Sequence, residues 1–410
     1  MNSRSRVWTG GSRLSEEEVD VLIVGAGLGG LACSLLLAQA GVRVLIVEKA
    51  DAVGGRARLI RKDGFVFDRG PTFFHYPEVA EEIFGALGLD AHESLGLLPL
   101  DPGYRLIFGQ GGYLDATTDI DRMEAQIESL AGPEEAKGFR RYLADNRRKL
   151  ALSKDCLNTP WKGPADLFSK RALRISRVLR PWKTVASDLA RFFKDERLQL
   201  ATSFQTKYLG MSPFQAPSLF TFLAFLEYEF GIFHPRGGLG SITETMAKIG
   251  REKGVRIRLS ESVESLCFEG KRVVGVRTNR GGYSCDRVVM NADFATGIRK
   301  LVPNRLRKKW SDEKIETKRY SCSTFMLYLG IDRVYDTPHH QIYASAHYHR
   351  NLNDIMGQHG ATGHLGRSVY LRSERLCHRP LFGPGWVFDS LCSGSRTSCK
   401  RFGRLDLDSR

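Results

Sequence analysis

The sequence has few cysteines, no cysteine pair with metal-binding spacing and no secretory leader. It holds 8 Cys in 410 residues and no Cys-x-x-Cys motif, which argues against a disulfide scaffold and against the commonest zinc and thiol-redox motifs. Residues 1–18 are polar, carry Arg and Glu, and lack the apolar centre of a signal peptide. We therefore expect these residues to be disordered and the protein to reside in the reducing cytoplasm.

The stretch that most resembles a membrane span is interrupted. Residues 21–42 contain no charged residue, but four glycines break the run: Gly25, Gly27, Gly29 and Gly30. Short apolar runs around a glycine-rich turn are typical of buried parallel strands joined by a helix. The pattern predicts a strand, a helix and a second strand at residues 19–24, 31–40 and 42–47, which together form one βαβ unit.

Three of these glycines have dinucleotide-binding spacing. Gly25, Gly27 and Gly30 form Gly-x-Gly-x-x-Gly between the first predicted strand and the helix. Such glycines permit a tight turn, close approach of a diphosphate to the backbone, and close packing of helix on strand. Glu48 ends the second strand, where a carboxylate accepts hydrogen bonds from ribose hydroxyls. The sequence therefore predicts a dinucleotide site.

A second glycine motif narrows the choice of cofactor. Gly54, Gly55 and Arg56 follow Glu48 closely and would bring another backbone turn and a guanidinium to the same diphosphate. An NAD dehydrogenase does not need this element. The pair of motifs resembles the FAD-binding amine oxidase and carotenoid desaturase superfamily. The resemblance implies FAD as cofactor and an α/β fold with a GR2-type Rossmann FAD-binding domain and a largely helical substrate domain.

Motifs further along the chain resemble one branch of that superfamily, the bacterial-type phytoene desaturases. They lie in order at residues 101–106, 123–127, 139–143, 231–240 and 288–293, the last ending in Asn-Ala-Asp. The resemblance runs from about Asp20 to Met356. It implies FAD-dependent desaturation of a linear carotene such as phytoene, with an apolar polyene as substrate. It also implies that the backbone of Val263 meets the adenine ring, although Val263 could equally be plain strand core.

The resemblance and the strand pattern together divide the chain. We expect the FAD-binding domain at residues 19–100 and 235–300, and a substrate and membrane-associated domain at 101–234 and 301–356. Residues 139–231 show few strand signals and predict helices. The apolar, aromatic segment 217–226 suits the lining of a tunnel for a polyene, although ordinary helix core is an equal alternative.

The net charge of +15 favours an anionic partner surface. Residues 140–183 hold 13 Lys or Arg against three Asp, and include Trp161 and Trp182. A basic, Trp-bearing helical surface suits adsorption to anionic lipid, with a solvated helix face as the alternative. No nucleic-acid-binding signature accompanies the charge, so we do not expect nucleic acid as a partner. The expected location is cytoplasmic with peripheral membrane attachment.

The sequence does not assign every role. His339, His340, His347 and His349 cluster without Cys or carboxylate partners, so we expect no metal site. Asp145 and Arg147 lie in a family-like segment but could equally be surface residues, and the catalytic residues stay unknown. The sequence also leaves open the number of desaturation steps, the electron acceptor and the oligomeric state.

The last residues differ from the rest of the chain. The family resemblance stops near Met356, and the flavin-enclosing motif that closes related chains is missing. When residues 368–398 are back-translated with allowed codons, moving the frame by one base permits a string that resembles the family's continuation. We therefore expect residues 357–410 to be an out-of-frame, irregular tail, with a divergent native tail as the alternative.

The alternatives to carotene desaturation are a sibling carotenoid dehydrogenase or isomerase of the same fold, or an inactive remnant without competent FAD binding.

Overall fold

The computed structural model describes residues 14–157, 176, 178–318, 320, 324–330, 335–355, 370–374 and 385–391. The chain divides into two compact units. Unit 1 comprises residues 1–98 and 233–319, and unit 2 comprises residues 99–232 and 320–410. Each unit is thus assembled from segments that are far apart in the sequence.

The strands and helices follow in chain order. The strands are β1 Leu14–Val24, β2 Val44–Val47, β3 Leu59–Lys62, β4 Phe65–Asp68, β5 Phe74–His75, β6 Leu97–Leu100, β7 Tyr104–Phe108, β8 Tyr113–Ala116, β9 Ile232–Pro235, β10 Arg256–Arg258, β11 Val263–Glu269, β12 Arg272–Thr278, β13 Gly281–Met290, β14 Thr324–Gly330, β15 His340–Ala344, β16 Tyr370–Glu374 and β17 Gly385–Leu391. The helices are α1 Leu28–Gln39, α2 Glu78–Gly85, α3 Ala91–Leu95, α4 Ile120–Ala131, α5 Pro133–Leu157, α6 Val185–Leu189, α7 Glu196–Ala201, α8 Phe222–Phe230, α9 Gly240–Glu252, α10 Phe294–Leu301, α11 Asp312–Glu316 and α12 Tyr348–Ile355.

Unit 1 is built on a six-stranded sheet. Its order is β10-β2-β1-β13-β12-β11, with the first four strands parallel and the last three joined by antiparallel pairing. Helices α1 and α9 pack on each other. Leu22, Ile23 and Leu45 are completely buried. Parallel strands covered on both faces are apolar without alternation, which explains the continuous runs in the sequence.

The first βαβ unit is present, with boundaries that differ from the prediction. β1 begins at Leu14 because residues 14 and 15 already pair with residues 282 and 283 of β13. The expectation of disorder through residue 18 is therefore wrong for residues 14–18, and residues 1–13 lie outside the described residues. α1 begins at Leu28, so it includes two of the four glycines in its first turn.

Residues 301–319 belong to unit 1, whereas the sequence analysis placed residues 301–356 in the substrate domain. Leu301 is buried in the same hydrophobic cluster as Leu22 of β1. The rings of Phe294 and Trp310 meet edge to face with centroids 4.9 Å apart. These contacts hold the short helices after β13 against the six-stranded sheet of unit 1. The boundary between the two units therefore falls near residue 319.

Unit 2 combines a second sheet with helices. The sheet has the order β14-β17-β16-β15-β7-β8, in which β7 and β15 are parallel and the other pairs are antiparallel. The described residues between 139 and 231 contain helices and connecting turns, including 3-10 helices at Phe204–Leu209 and Ser218–Thr221, and belong to none of the strands given above. The helical prediction for this segment therefore agrees with the structure where the segment is described.

Two segments of the tail lie in this second sheet. β17 pairs with β14 over seven residues, and β16 pairs with both β15 and β17. The expectation of an irregular tail is wrong for these two strands, because their backbone groups find ladder partners on both sides of β16. The other residues of the tail lie outside the described residues.

Candidate cofactor site

The glycine-rich turn follows directly from the carboxyl end of β1. Gly25 has a φ of +99°, and a Cβ atom there would lie 2.7 Å from the backbone oxygen of Asn291. A side chain is therefore excluded at Gly25 both by the backbone conformation and by space. The Gly25 N–H donates to the carbonyl oxygen of Val47, 2.8 Å away, which ties the turn to β2.

The two glycine motifs lie against each other. The Gly54 N–H donates to the carbonyl oxygen of Ala26, 2.8 Å away, and Gly54 forms an isolated bridge with Gly27. A Cβ atom on Gly55 would lie 3.3 Å from the Cα of Gly27. Residues that are almost thirty positions apart thus form one continuous backbone surface at the N-terminus of α1.

Gly30 has a different role from the other motif glycines. It lies in the first turn of α1, is buried, and would bring a Cβ atom against the carbonyl oxygen of Gly25. This is the close packing of helix on turn that the motif predicts. The first N–H groups of α1 have no partner within a helix, and with the helix dipole they favour an anion such as a diphosphate.

Glu48 is buried beside the turn. Its Oε2 accepts from the Ala26 N–H and its Oε1 from the Ala50 N–H, each at 2.8 Å. Each carboxylate oxygen keeps a second lone pair for a ribose hydroxyl. The same residue therefore orders the glycine-rich turn and keeps acceptor capacity for the ribose contact that the sequence predicts.

The remaining predicted contacts lie in the same unit. Arg56 is exposed in the turn after Gly55. Hydrogen bonds from Thr296, and to a smaller extent the positive charge of Arg56, lower the pKa of Asp293. Val263 is buried at the start of β11. The five motif glycines lie against one another, and Glu48 joins them through the Ala26 N–H. Arg56 follows Gly55 directly in the chain, and Val263 packs in the hydrophobic cluster that includes Val24 and Val47.

These residues fit a bound dinucleotide. The two glycine turns present backbone without side chains at the N-terminus of α1, and Glu48 offers carboxylate acceptors beside them. FAD would be held with its diphosphate on the glycine turn and α1, and its ribose on Glu48.

Two residues that the sequence analysis did not assign to the site contact the predicted site residues. The Asn291 Nδ2 donates to the carbonyl oxygen of Gly25 at 3.2 Å. Glu261 is buried, accepts from the Thr278 and Tyr283 hydroxyls at 2.6 and 3.2 Å, and donates its N–H to the Glu48 carbonyl oxygen. Asn291 lies in the Asn-Ala-Asp motif, which was its signal. Glu261 has none, because its partners come from other strands.

The two candidate catalytic residues of unit 2 form ion pairs. Asp145 pairs with Arg180 at 2.5 Å and with Lys149 at 3.1 Å, while Arg147 pairs in a bidentate manner with Glu229. These contacts give both residues a structural role.

A buried carboxyl group lies elsewhere in unit 2. Glu227 of α8 accepts from Gln205 at 2.8 Å and from the Tyr104 hydroxyl at 3.0 Å. Burial raises the pKa of Glu227 to about 8, against the lowering effect of these hydrogen bonds and that of Tyr208. The segment 217–226, predicted as apolar lining, includes buried Phe225 and Leu226 and half-buried Phe220.

The clustered histidines have protein partners. His339 and His340 meet through their Nδ1 atoms at 3.0 Å, and the His349 ring packs on Phe214. Within the described residues, no three His, Cys, Asp or Glu side chains are grouped so as to hold a metal ion. No helix in that same part of the chain combines the length and the apolarity that crossing a membrane requires.

Comparisons with known proteins identify the family. A model of the flavin-containing amine oxidoreductases matches residues 28–329. The phytoene desaturase (lycopene-forming) of Pantoea ananas is 33% identical, over 86% of this chain and 71% of its own length. The chain belongs to the flavin-containing amine oxidoreductases, in their carotenoid desaturase branch. FAD is accordingly its cofactor.

Other relatives agree with this placement. The 4,4'-diapophytoene desaturase (4,4'-diapolycopene-forming) of a Methylomonas species is 38% identical over 82% of this chain. The chain spans 65% of the length of that relative. An oxidoreductase from Methanosarcina mazei shares the fold with a TM-score of 0.60 and 14% identity, over 92% of this chain and 79% of its own. A putrescine oxidase shares the fold with a TM-score of 0.54 and 15% identity, over 93% of this chain and 77% of its own length.

Proposed function

We propose that this chain is an FAD-dependent desaturase of a linear carotene, with phytoene as the substrate. The observation that carries the proposal is the paired glycine turns with Glu48 in a chain that resembles desaturases over most of its length. Each desaturation removes two hydrogens from neighbouring carbons and leaves a conjugated double bond. FAD, when bound, accepts one of them as a hydride, and the other leaves as a proton.

The described residues contribute binding and orientation to this function. The glycine turns and α1 would hold the diphosphate, and Glu48 the ribose, so that the cofactor has one fixed position. The apolar interior of unit 2, which includes buried Phe225 and Leu226, supplies an environment suited to a polyene.

A C30 substrate is the second candidate. The relative with 38% identity is named for 4,4'-diapophytoene, a shorter polyene, whereas the Pantoea ananas relative is named for phytoene. Feeding both polyenes and separating the products by chromatography decides between them. Conversion of the shorter substrate alone would replace phytoene in this proposal.

Peripheral attachment to an anionic membrane accompanies the proposed function, because a substrate insoluble in water must be taken from lipid. Trp182 is 69% exposed. Its turn is held in place, since the Lys183 N–H donates to Arg180 and the Ser218 hydroxyl donates to the Leu179 and Arg180 carbonyl oxygens. Trp161, the other tryptophan of the basic segment, lies outside the described residues. An exposed indole on a fixed basic turn suits the interface of a bilayer.

An out-of-frame tail from about residue 360 is also part of the proposal. It is supported by the family-like string in the neighbouring frame, and it limits the activity of the chain as given. The nucleotide sequence around codons 355–362 tests it directly. Expression of the chain and of its one-base correction in a phytoene-accumulating host should give much more coloured polyene with the corrected form. Equal colour from the two forms would contradict a functional consequence.

Replacement of Gly27 tests the cofactor site and the function together. Gly27→Val would place a side chain on the surface assigned to the diphosphate. We expect the variant to purify without flavin absorbance and to form no desaturated product. The matched control is Gly85→Val, at an exposed glycine of the same unit with open space around it and no left-handed backbone, which should keep its flavin. Stoichiometric FAD in Gly27→Val would contradict the site, whereas a flavin-loaded, frame-corrected chain that forms no product would contradict the desaturase function alone.

A further inference from the structure

The carboxamide of Asn291 lies directly on the glycine-rich turn. Asn291 is the first residue after β13, which pairs in parallel with β1. Its backbone N–H donates to the Val24 carbonyl oxygen at 3.0 Å, and its Nδ2 donates to the Gly25 carbonyl oxygen at 3.2 Å. The two bonds fix the chain where β1 ends and the turn toward α1 begins.

The glycines of the turn lie so close to Asn291 that a side chain on Gly27, Gly29 or Gly30 would meet its carboxamide. A Cβ atom would lie 2.7 Å from the Asn291 Nδ2 if placed on Gly30, 3.0 Å from its Oδ1 if placed on Gly29, and 3.3 Å from its Nδ2 if placed on Gly27. Contacts this short leave no room for a side chain without movement of the carboxamide. These glycines therefore accommodate Asn291 as well as a cofactor.

The sheet topology places this contact where ligands bind. β1 lies between β2 and β13, and all three strands are parallel. Ligands of open parallel sheets bind outside the carboxyl ends of the strands, where the connections leave in opposite directions. Asn291 and the glycine turn occupy the carboxyl ends of neighbouring strands. A neutral carboxamide here holds a carbonyl group without adding negative charge near the N-terminus of α1.

We propose that Asn291 is a positioning residue for the FAD diphosphate. Its side-chain N–H holds the Gly25 carbonyl and keeps the turn in the conformation that receives the anion. The proposal rests on the FAD site described above and assigns this residue's part in it. Aspartate has nearly the same size, but it lacks the N–H donor and would repel a diphosphate at close range.

Titration of the full-length apoprotein with FAD, followed by quenching of flavin fluorescence, tests the proposal. Asn291→Asp should raise the Kd about 100-fold, and Asn291→Ala about 10-fold, since the alanine variant loses the hydrogen bond without adding charge. Asn304→Asp makes the same change at an exposed position of unit 1 and should bind FAD as the wild type does. Thermal unfolding of each apoprotein is measured in parallel.

The outcomes separate this proposal from the cofactor site itself. An unchanged Kd in Asn291→Asp, beside a wild type that binds FAD, overturns the positioning role alone. A weaker Kd accompanied by an equally large loss of apoprotein stability also overturns it, because Asn291 would then be structural. If the wild-type chain bound no FAD, the cofactor site and the proposal would fall together. A weakened Kd with unchanged apoprotein melting supports the proposal.

Discussion

Two buried acidic residues, one in each unit, are held in different ways. Glu48 in unit 1 accepts hydrogen bonds from two backbone N–H groups, at Ala26 and Ala50. Glu227 in unit 2 is held by side chains, Gln205 and Tyr104 among them, and burial raises its pKa to about 8. Backbone donors are fixed by the fold of the turn itself, whereas the side-chain donors must be brought together from a strand and a 3-10 helix that are distant in the sequence.

The same contrast extends to the surroundings of the two residues. The cofactor region of unit 1 uses glycines, a helix N-terminus and backbone groups, and it therefore offers a ligand surface. The interior of unit 2 contains an ion network in which Lys149, 1% exposed, meets Asp188 at 2.8 Å and Asp145 at 3.1 Å. Buried charges of this kind stabilise only when all their partners are present. Unit 2 should therefore be sensitive to charge removal, and unit 1 to added side-chain volume.

The largest effect is expected from breaking the ion network of unit 2. Burial alone would raise the pKa of Asp188, but hydrogen bonds from Arg180 and Lys149 lower it to about 2. Asp188→Asn leaves Lys149 buried with too little negative charge and should cost about 4 kcal/mol of unfolding free energy. Urea unfolding measures this loss.

The control for this variant is a surface ion pair. Asp121→Asn removes a carboxylate whose side chain is 90% exposed and which pairs with Arg140 at 2.9 Å. Its cost should stay below about 1 kcal/mol, because exposed pairs contribute little. Equal losses in the two variants would mean that the network of Asp188 is no more demanding than a surface pair.

The next largest effect concerns the pH dependence of Glu227. Its pKa is raised from 4.5 to about 8 in the folded protein, so the folded state binds more protons than the unfolded state between these values. The stability is fully present below pH 4.5 and falls as the pH rises toward 8. Relative to Glu227→Gln, the wild type should lose roughly 3 kcal/mol between about pH 5 and pH 8.

Urea unfolding at both pH values compares the wild type with Glu227→Gln and Glu229→Gln. Glu229 is two residues further along, only partly buried and paired with Arg147, so its variant should keep the wild-type slope. The groups facing Glu227 are the hydroxyls of Tyr104, Tyr208 and Tyr228, whose pKa values are all raised. An identical slope in Glu227→Gln would show that Glu227 does not carry the extra proton.

A smaller effect is expected from adding one methyl group to the turn of unit 1. Gly25 and Gly41 both have positive φ values, +99° and +78°, but only Gly25 has the Asn291 backbone oxygen within reach of a Cβ atom. Gly41→Ala should lower the free energy of unfolding by about 1 kcal/mol, because alanine disfavours the left-handed conformation. Gly25→Ala should lower it by about 2–3 kcal/mol and abolish FAD binding, because the methyl group also meets the Asn291 oxygen. Chemical unfolding and flavin absorbance measure both. Retention of FAD by Gly25→Ala would argue that the turn can yield to a side chain.

The contrast between the units also explains what the sequence predicts. The glycine spacing, Glu48 and the apolar runs of β1 and β2 are local patterns, and each follows from the chemistry of a few neighbouring residues. The network of Lys149, Asp145 and Asp188 joins α5 to α6 across almost forty residues, and no local sequence pattern predicts it. The same holds for Glu227, which a sequence pattern would assign to a helix surface.

The differences between prediction and structure near the two ends of the chain have a related cause. β1 extends back to Leu14 because β13 offers it a partner, and residues 301–319 join unit 1 because Leu301 enters the core of the sheet. β16 and β17 likewise depend on strands from elsewhere in the chain for their pairing. Hydrophobic periodicity and composition do not predict which strands pair when these are distant in the sequence.

The smallest effect on stability is expected at the exposed turn that the ion network supports. Arg180 pairs with Asp188 and Asp145, and the next residue but one is Trp182, 69% exposed. Because the Trp182 side chain lies largely in solvent, Trp182→Ala should change the unfolding free energy by no more than about 0.5 kcal/mol. The same variant should float less well with anionic liposomes, and the wild type should lose binding as salt is added. Tyr320→Ala, at another exposed aromatic residue of unit 2, is the control and should float as the wild type does. Equal flotation of all three proteins, on neutral and anionic liposomes alike, would leave Trp182 without a role at the membrane, and its exposure would be that of an ordinary surface residue.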